Sequence, residues 1–136
     1  MIAFVVPGVP TAQPRVKATT IGGYARVYTP KTADQYKASV SIACQSASSQ
    51  PPIDGPVRVD IEFVMPRPKA MVWKSRPMPS VYHDKKPDVD NLAKAVLDSL
   101  GGIAWRDDSQ ICMLLLRKRI ASGDEQPHTK VEIERA

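Results

Sequence analysis

A group of aspartates between positions 84 and 108 provides most of the residues that could do chemistry. Six of the fourteen acidic residues fall there, namely Asp84, Asp88, Asp90, Asp98, Asp107 and Asp108. Carboxylate oxygens suit hard cations such as Mg²⁺, which usually keep water and substrate phosphate as further ligands. The pattern predicts a divalent-metal site with Asp88 and Asp90 at the start of a helix. Asp108, or its neighbour Asp107, would complete the site from the mouth of the next strand.

Basic residues surround this acidic group. The chain carries a net charge of +5, and its first fifty residues contain only Asp34 as an acid. The basic residues of the two richest segments are Arg15, Lys17, Arg26, Lys31, Lys37, Arg67, Lys69, Lys74, Arg76, Lys85 and Lys86. Such a surplus suits a polyanion such as nucleic acid, and a solvated surface is the ordinary alternative.

The combination of this acidic group with the surrounding basic residues indicates an enzyme that cleaves phosphodiester bonds. A bound metal would polarise the scissile phosphate and lower the pKa of an attacking water, and a second ion about 3.5–4 Å away would stabilise the leaving oxygen. Lys94 follows Asp90 by four residues, on the same face of the expected helix. Its charge could neutralise the transition state, as fixed cations do in phosphoryl transfer.

Structural roles remain open for each of these aspartates. Asp88 could cap a helix, and Asp90 could favour the positive end of the helix dipole. Asp90, Lys94 and Asp98 could form a surface ladder of ion pairs, and Asp107 and Asp108 could serve a turn. An EF-hand is excluded because no glycine stands at the sixth loop position, and the chain has no P-loop.

The predicted fold class is a single two-layer α/β (α+β) domain over residues 1–136, with a small mixed sheet and two main helices. The expected order is strand, helix, strand, helix, strand, strand. The expected strands cover residues 2–6, 56–65, 110–120 and 129–134, with a short extended piece at 24–28. The expected helices run from Thr29-Pro30 to about Ser46, with Tyr36, Val40, Ala43 and Cys44 on one face, and from Asp88 to Leu100.

Residues 66–87 are predicted to form a long basic, proline-rich loop, and loops of this length are usually functional or disordered. Its Trp73 and Tyr82 could stack on opened bases, or they could make a core or dimer contact. Cys44 and Cys112 stand alone, which predicts reduced, packed thiols. The longest apolar runs are too short to span a bilayer, and the first six residues are typical of a strand rather than a signal peptide. We therefore expect no membrane association and a cytoplasmic location, close to the nucleoid during work on DNA.

At the aspartates the sequence resembles the RusA family of Holliday-junction resolvases, which is common in prophages. The run from His83 to Gly102, HDKKPDVDNLAKAVLDSLGG, and the run from Trp105 to Ile111, WRDDSQI, are similar to the family pattern K-P-D-x-D-N-x-x-K, D-x-L and D-D-x-Q-[VI]. A segment containing Gly8, Pro10, Gln13, Pro14 and Arg15 is also similar to a basic segment of that family. The resemblance covers most of the chain.

The resemblance implies a homodimer that cuts four-way DNA junctions symmetrically with Mg²⁺ or Mn²⁺ in recombination and repair. By position, Asp88, Asp90 and Asp108 match the metal-binding carboxylates and Lys94 matches the catalytic lysine, with Asp107 a lesser candidate. The expected DNA-binding residues are Arg15, Lys17, Arg67, Lys69, Lys74, Arg76, Lys85 and Lys86. Two alternatives remain, a non-catalytic module that binds branched DNA and a nuclease for other branched DNA.

Overall fold

A computed structural model describes all 136 residues. The chain forms a five-stranded mixed sheet, two α-helices and a separate two-stranded hairpin, which confirms the predicted α+β class. The elements are β1 Ile2–Pro7, β2 Lys17–Ile21, β3 Tyr24–Tyr28, α1 Asp34–Ala47, β4 Val57–Met65, β5 Val81–Tyr82, α2 Val89–Leu100, β6 Ile111–Ile120 and β7 His128–Arg135. Short 3₁₀ turns cover Lys69–Met71 and Asp108–Gln110. No helix is both long and apolar enough to cross a membrane.

The central strand β4 organises the main sheet, whose order is β1-β7-β4-β6-β5. It pairs antiparallel with β7 and parallel with β6. A parallel pair needs a crossover connection, because the chain must return to the starting end of the sheet. The segment between β4 and β6 makes this return and includes α2, which therefore lies beside the sheet.

The core lies between one face of the sheet and the two helices. Val57, Val59, Ile61 and Phe63 alternate along β4 and are fully buried, as the period-two pattern predicted. The α2 helix adds Leu92, Val96 and Leu100, which are also fully buried. Each of these side chains contributes about 1.5–3 kcal/mol by leaving water. The predicted face of α1 is correct too, since Tyr36, Val40 and Cys44 are buried and Ala43 packs against the core.

The other face of the sheet carries paired charges. Arg117 contacts Asp60 at 3.1 Å, and Arg119 contacts Glu62 at 3.2 Å and Glu125 at 2.6 Å. These contacts lower the pKa of Glu125 to about 2, with the hydrogen bond from Arg119 as the main cause. This face has little free charge to attract a polyanion.

Three details differ from the sequence-based expectations. The first helix begins at Asp34, not at Thr29-Pro30, so Pro30 lies outside it. Asp34 brings a negative charge to the first turn, where the dipole favours it. Cys112 is exposed, so the expectation that both thiols are packed is wrong for this residue. The strands β2 and β5 were not predicted, because neither presents an apolar face to the core.

One edge of the main sheet is largely open. The strand β5 is only two residues long and pairs with β6 at Arg119 and Ile120. The β6 edge from Ile111 to Arg117 therefore has no neighbour on the side away from β4. Met113, Leu114 and Leu115 on this stretch are 53%, 43% and 46% exposed. An unpaired apolar strand edge readily pairs with another chain.

Candidate metal and nucleic-acid site

Asp88 and Asp90 lie at the N-terminal end of α2, and both are exposed. Asp88 occupies the N-cap position with extended backbone, and its carbonyl accepts the first helical bond from the Leu92 amide at 3.1 Å. Its side chain makes no capping hydrogen bond. The Asp88 carboxylate therefore does not cap the helix, and its oxygens stay available for a ligand.

Cations lie directly beside these carboxylates. Arg15, Lys86, Pro87, Asp88 and Asn91 line an open cleft of about 600 Å³. The segment between β1 and β2 is held at this cleft, because the amide of Gln13 donates to the carbonyl of Asn91 at 3.0 Å. One carboxylate between two basic side chains and an amide is a suitable setting for a phosphate group and a cation together.

A lysine of β6 holds the segment that leads into α2. The Lys118 ammonium donates to the carbonyl oxygens of Lys85 and Pro87, each at 2.6 Å. The His83 amide in turn donates to the carbonyl of Lys118 at 3.1 Å. Burial and the nearby Lys118 charge lower the pKa of His83. Residues 83–87 are therefore fixed against the C-terminal half of β6, immediately before Asp88.

Lys94 is exposed one turn after Asp90. The ion pairs of the protein include neither Asp90, Lys94 nor Asp98. The surface ladder considered from the sequence is thus not formed. The Lys94 ammonium keeps its three donors free of acidic partners.

Asp107 and Asp108 have different surroundings. The Asp107 side chain accepts from the amide of Ser109 at 3.3 Å, and Gln110 bonds back to the Asp107 amide at 3.0 Å. Asp107 therefore serves a capping box, and its role as a ligand stays a prediction. One oxygen of Asp108 accepts from the indole N–H of the fully buried Trp105 at 2.8 Å. That bond orients the exposed carboxylate.

Within one chain, Asp108 does not reach Asp88 and Asp90. A Cβ placed on Gly101 would lie 3.4 Å from Oδ1 of Asp108, which puts this carboxylate at the C-terminal end of α2. At 1.5 Å per residue, the eleven residues from Asp90 to Gly101 span about 16 Å. Accordingly, no group of three His, Cys, Asp or Glu side chains in the chain could hold a metal ion. The expected ligand role of Asp108 stays a prediction, but one chain alone does not supply the three ligands together.

None of the eight expected DNA-binding residues, from Arg15 to Lys86, forms an ion pair. Arg67 has a structural function, since its guanidinium donates to the carbonyls of Met71, Pro79 and Ala121. The guanidinium groups of Arg67 and Arg76 both lie over the Trp73 ring, at 4.9 and 3.8 Å from its centroid, inside the basic loop. Tyr82 is 81% exposed.

Sequence reasoning missed Lys118 and Trp105. Lys118 is in register with the buried Phe63, so it lies on the strand side that faces the core. A lysine at a core-facing position stands out from the alternating pattern of β6, so the sequence did contain a signal for it. The bond from Trp105 to Asp108 has no comparable signal, because an indole next to an acidic turn is not distinctive in sequence.

Two comparisons with known proteins bear on the family of this chain. The chain is 29% identical over 137 residues to "Uncharacterized protein YqaN" of Bacillus subtilis (strain 168), covering 97% of this chain and 94% of that protein. Residues 7–134 match the sequence model of the family described as "Endodeoxyribonuclease RusA". This match includes both helices, all the aspartates discussed above and the strands β2 to β6, together with Pro7 of β1 and all of β7 except Arg135. The chain therefore belongs to the RusA endodeoxyribonuclease family.

Proposed function

We propose that the protein is a metal-dependent endodeoxyribonuclease that resolves four-way DNA junctions as a homodimer. The observation that carries this proposal is the state of Asp88 and Asp90. Both carboxylates are exposed and free of structural partners, and Asp88 shares its cleft with Arg15 and Lys86 on a positively charged protein. Carboxylates kept free in such surroundings fit a hard cation that links them to a DNA phosphate.

The open edge of β6 supports the homodimer. Its exposed Met113, Leu114 and Leu115 are suited to an identical edge, since a two-fold axis brings the same surface of two copies together. Antiparallel pairing of two β6 strands would join the sheets and bury both apolar edges. Paired, symmetry-related nicks in a junction also require two symmetry-related sites.

Such a dimer would supply the ligand that one chain lacks. Asp108 lies three residues before the first residue of β6, whereas Asp88 is tied to the other end of this strand through the contacts of Lys118 with the segment that precedes Asp88. Antiparallel pairing centred near Leu114 would bring Ile111 of the partner subunit opposite Arg117, next to Lys118. We propose that Asp88 and Asp90 of one protomer and Asp108 of the partner subunit hold the cation.

The bound cation would supply Lewis-acid stabilisation of the phosphate and an acidified water. The other side chains act on the DNA directly. Arg15 and Lys86 are positioned to hold the oxygens of the phosphate next to Asp88. Lys94, without an acidic partner, would place positive charge against the phosphate as negative charge builds on it.

Two alternatives compete with this function. A non-catalytic module would bind branched DNA without cutting it, but binding alone would gain nothing from exposed carboxylates that repel phosphates. A nuclease for other branched DNA would use the same residues and would differ only in its substrates. The products formed on DNA substrates of defined structure distinguish both alternatives from the proposed function.

The first test compares a labelled four-way junction with a linear duplex, in Mg²⁺ and in EDTA. We expect symmetric nicks in the junction alone, abolished by EDTA. Asp90→Asn should reduce cutting about 100-fold or more, the scale of losing a group that stabilises a transition state, and junction binding should persist or tighten because repulsion is removed. Asp124→Asn, in an exposed turn, is the charge-matched control and should cut normally. Junction binding without nicks in any divalent metal would favour the module, and equal cutting of flaps would favour the broader nuclease.

The second test mixes two inactive variants. If each site combines Asp90 of one protomer with Asp108 of the partner subunit, a mixed dimer of Asp90→Asn and Asp108→Asn contains one intact site. Random exchange should restore single-strand nicking to about a quarter of the wild-type sites, since half the dimers are mixed. Nicking is measured on a supercoiled plasmid carrying a junction. No recovery, despite subunit exchange shown by tagged protomers, would mean that each site belongs to a single chain.

The third test concerns Lys118 as a positioning residue. Lys118→Met removes both hydrogen bonds to the segment before Asp88 and should weaken Mn²⁺ binding about 10-fold or more, the usual cost of losing support behind metal ligands. Titration calorimetry measures this affinity apart from activity, and Lys118→Arg should recover part of it. Lys130→Met, on β7, is the matched control. An unchanged Mn²⁺ affinity in Lys118→Met would remove the positioning role.

A further inference from the structure

The hairpin of β2 and β3 stands apart from the rest of the fold. The two strands pair only with each other, and all ten of their residues are exposed. Gly22 and Gly23 form the turn with φ of 60° and 82°, the conformation that tight hairpins need. A single two-stranded hairpin is marginally stable in water, so an isolated one is best explained by a partner that it contacts.

The two faces of the hairpin differ in chemistry. The register pairs Lys17 with Tyr28, Thr19 with Arg26 and Ile21 with Tyr24. Since side chains alternate along a strand, these six residues share one face, and two cations and two tyrosines lie on it. The opposite face carries only the small or aliphatic residues Ala18, Thr20, Ala25 and Val27.

The hairpin starts next to the candidate site. Arg15 lines the cleft with Asp88, and β2 begins two residues later at Lys17. The connection is fixed at its base by the contact of Gln13 with Asn91. No acidic residue occurs before Asp34, so the hairpin and the segment that leads to it carry only positive charges. The base of the hairpin therefore lies beside the cleft, and its charge is suited to a polyanion.

We propose that the hairpin is a DNA-binding arm that lies along the duplex beside the cleaved phosphate, an inference that rests on the proposed function. Lys17 and Arg26 bind backbone phosphates, and Tyr24 at the tip, 80% exposed, packs against a base or sugar. A two-stranded ribbon has the dimensions to enter a major groove. A second copy of the hairpin is the rival occupant, but its cationic face would repel an identical one.

The test compares two double variants that each remove two positive charges. Lys17→Gln/Arg26→Gln changes the hairpin, and Arg58→Gln/Lys130→Gln changes the ion-paired face of the sheet. Junction affinity is measured by fluorescence anisotropy over a salt series. Each lost phosphate contact should reduce the slope of log K against log salt by about 0.9, so the hairpin variant should lose about 1.8 for each bound protomer and about 3.6 for a dimer. The control should keep the wild-type slope, and both should retain their circular dichroism spectra.

A second pair of variants tests the tyrosine. Tyr24→Ala should weaken junction binding about 5-fold or more, the lower range for losing a stacked aromatic side chain. Val27→Ala, on the opposite face and 71% exposed, is the matched control and should bind normally. Because the hairpin packs against no other element, thermal unfolding midpoints should stay unchanged in both.

The outcomes separate the arm from the proposed function. Wild-type affinity and salt slope in the hairpin variants, with the wild type still cutting junctions, would overturn the arm and leave the function standing. A change in sedimentation coefficient caused by these substitutions would identify a second copy as the occupant and would also overturn it. If the wild type bound no branched DNA at all, both proposals would fall together.

Discussion

The length of α2 is the constraint on which the account depends. This helix holds Asp88 and Asp90 at its N-terminal end, whereas Asp108 lies beside Gly101 at the opposite end. A rigid helix of twelve residues prevents carboxylates at its two ends from sharing an ion. Either Asp108 has no part in metal binding, or its partners come from another chain. The open apolar edge of β6 favours partners from another chain, because this strand runs from the Asp108 turn to the segment that precedes Asp88.

The charges of the molecule are divided between its two sides. On the open face of the sheet, acids and bases neutralise each other in ion pairs. Around the start of α2, in the basic loop and on the hairpin, the bases have no acidic partners. A DNA backbone is therefore attracted to the second side alone. Asp88 shares a cleft with two of these bases, Arg15 and Lys86, and a phosphate bridged by a cation would be bound there.

The sequence allowed correct prediction where local patterns decide the structure. The alternation of β4 and the helical spacing of α2 each bury one face, so their positions followed from periodicity. The start of α1 did not follow, since Pro30 is equally suited to an irregular segment. The hairpin was only half recognised, through Tyr24–Tyr28, because its strands pack against nothing. The separation of Asp108 from Asp90 was hidden, since closeness in sequence does not reveal which end of a helix a later turn approaches.

A titration of Mn²⁺ into a variant that cannot pair its β6 edges tests the shared site most directly. Leu115→Glu places a charge on that edge, and Val5→Glu places the same charge on an exposed residue of β1, at the other edge of the sheet. We expect the Val5 variant and the wild type to sediment as dimers and bind Mn²⁺ alike, whereas the Leu115 variant should be a folded monomer without measurable Mn²⁺ binding. A monomeric Leu115 variant that binds Mn²⁺ with wild-type affinity would contradict the account.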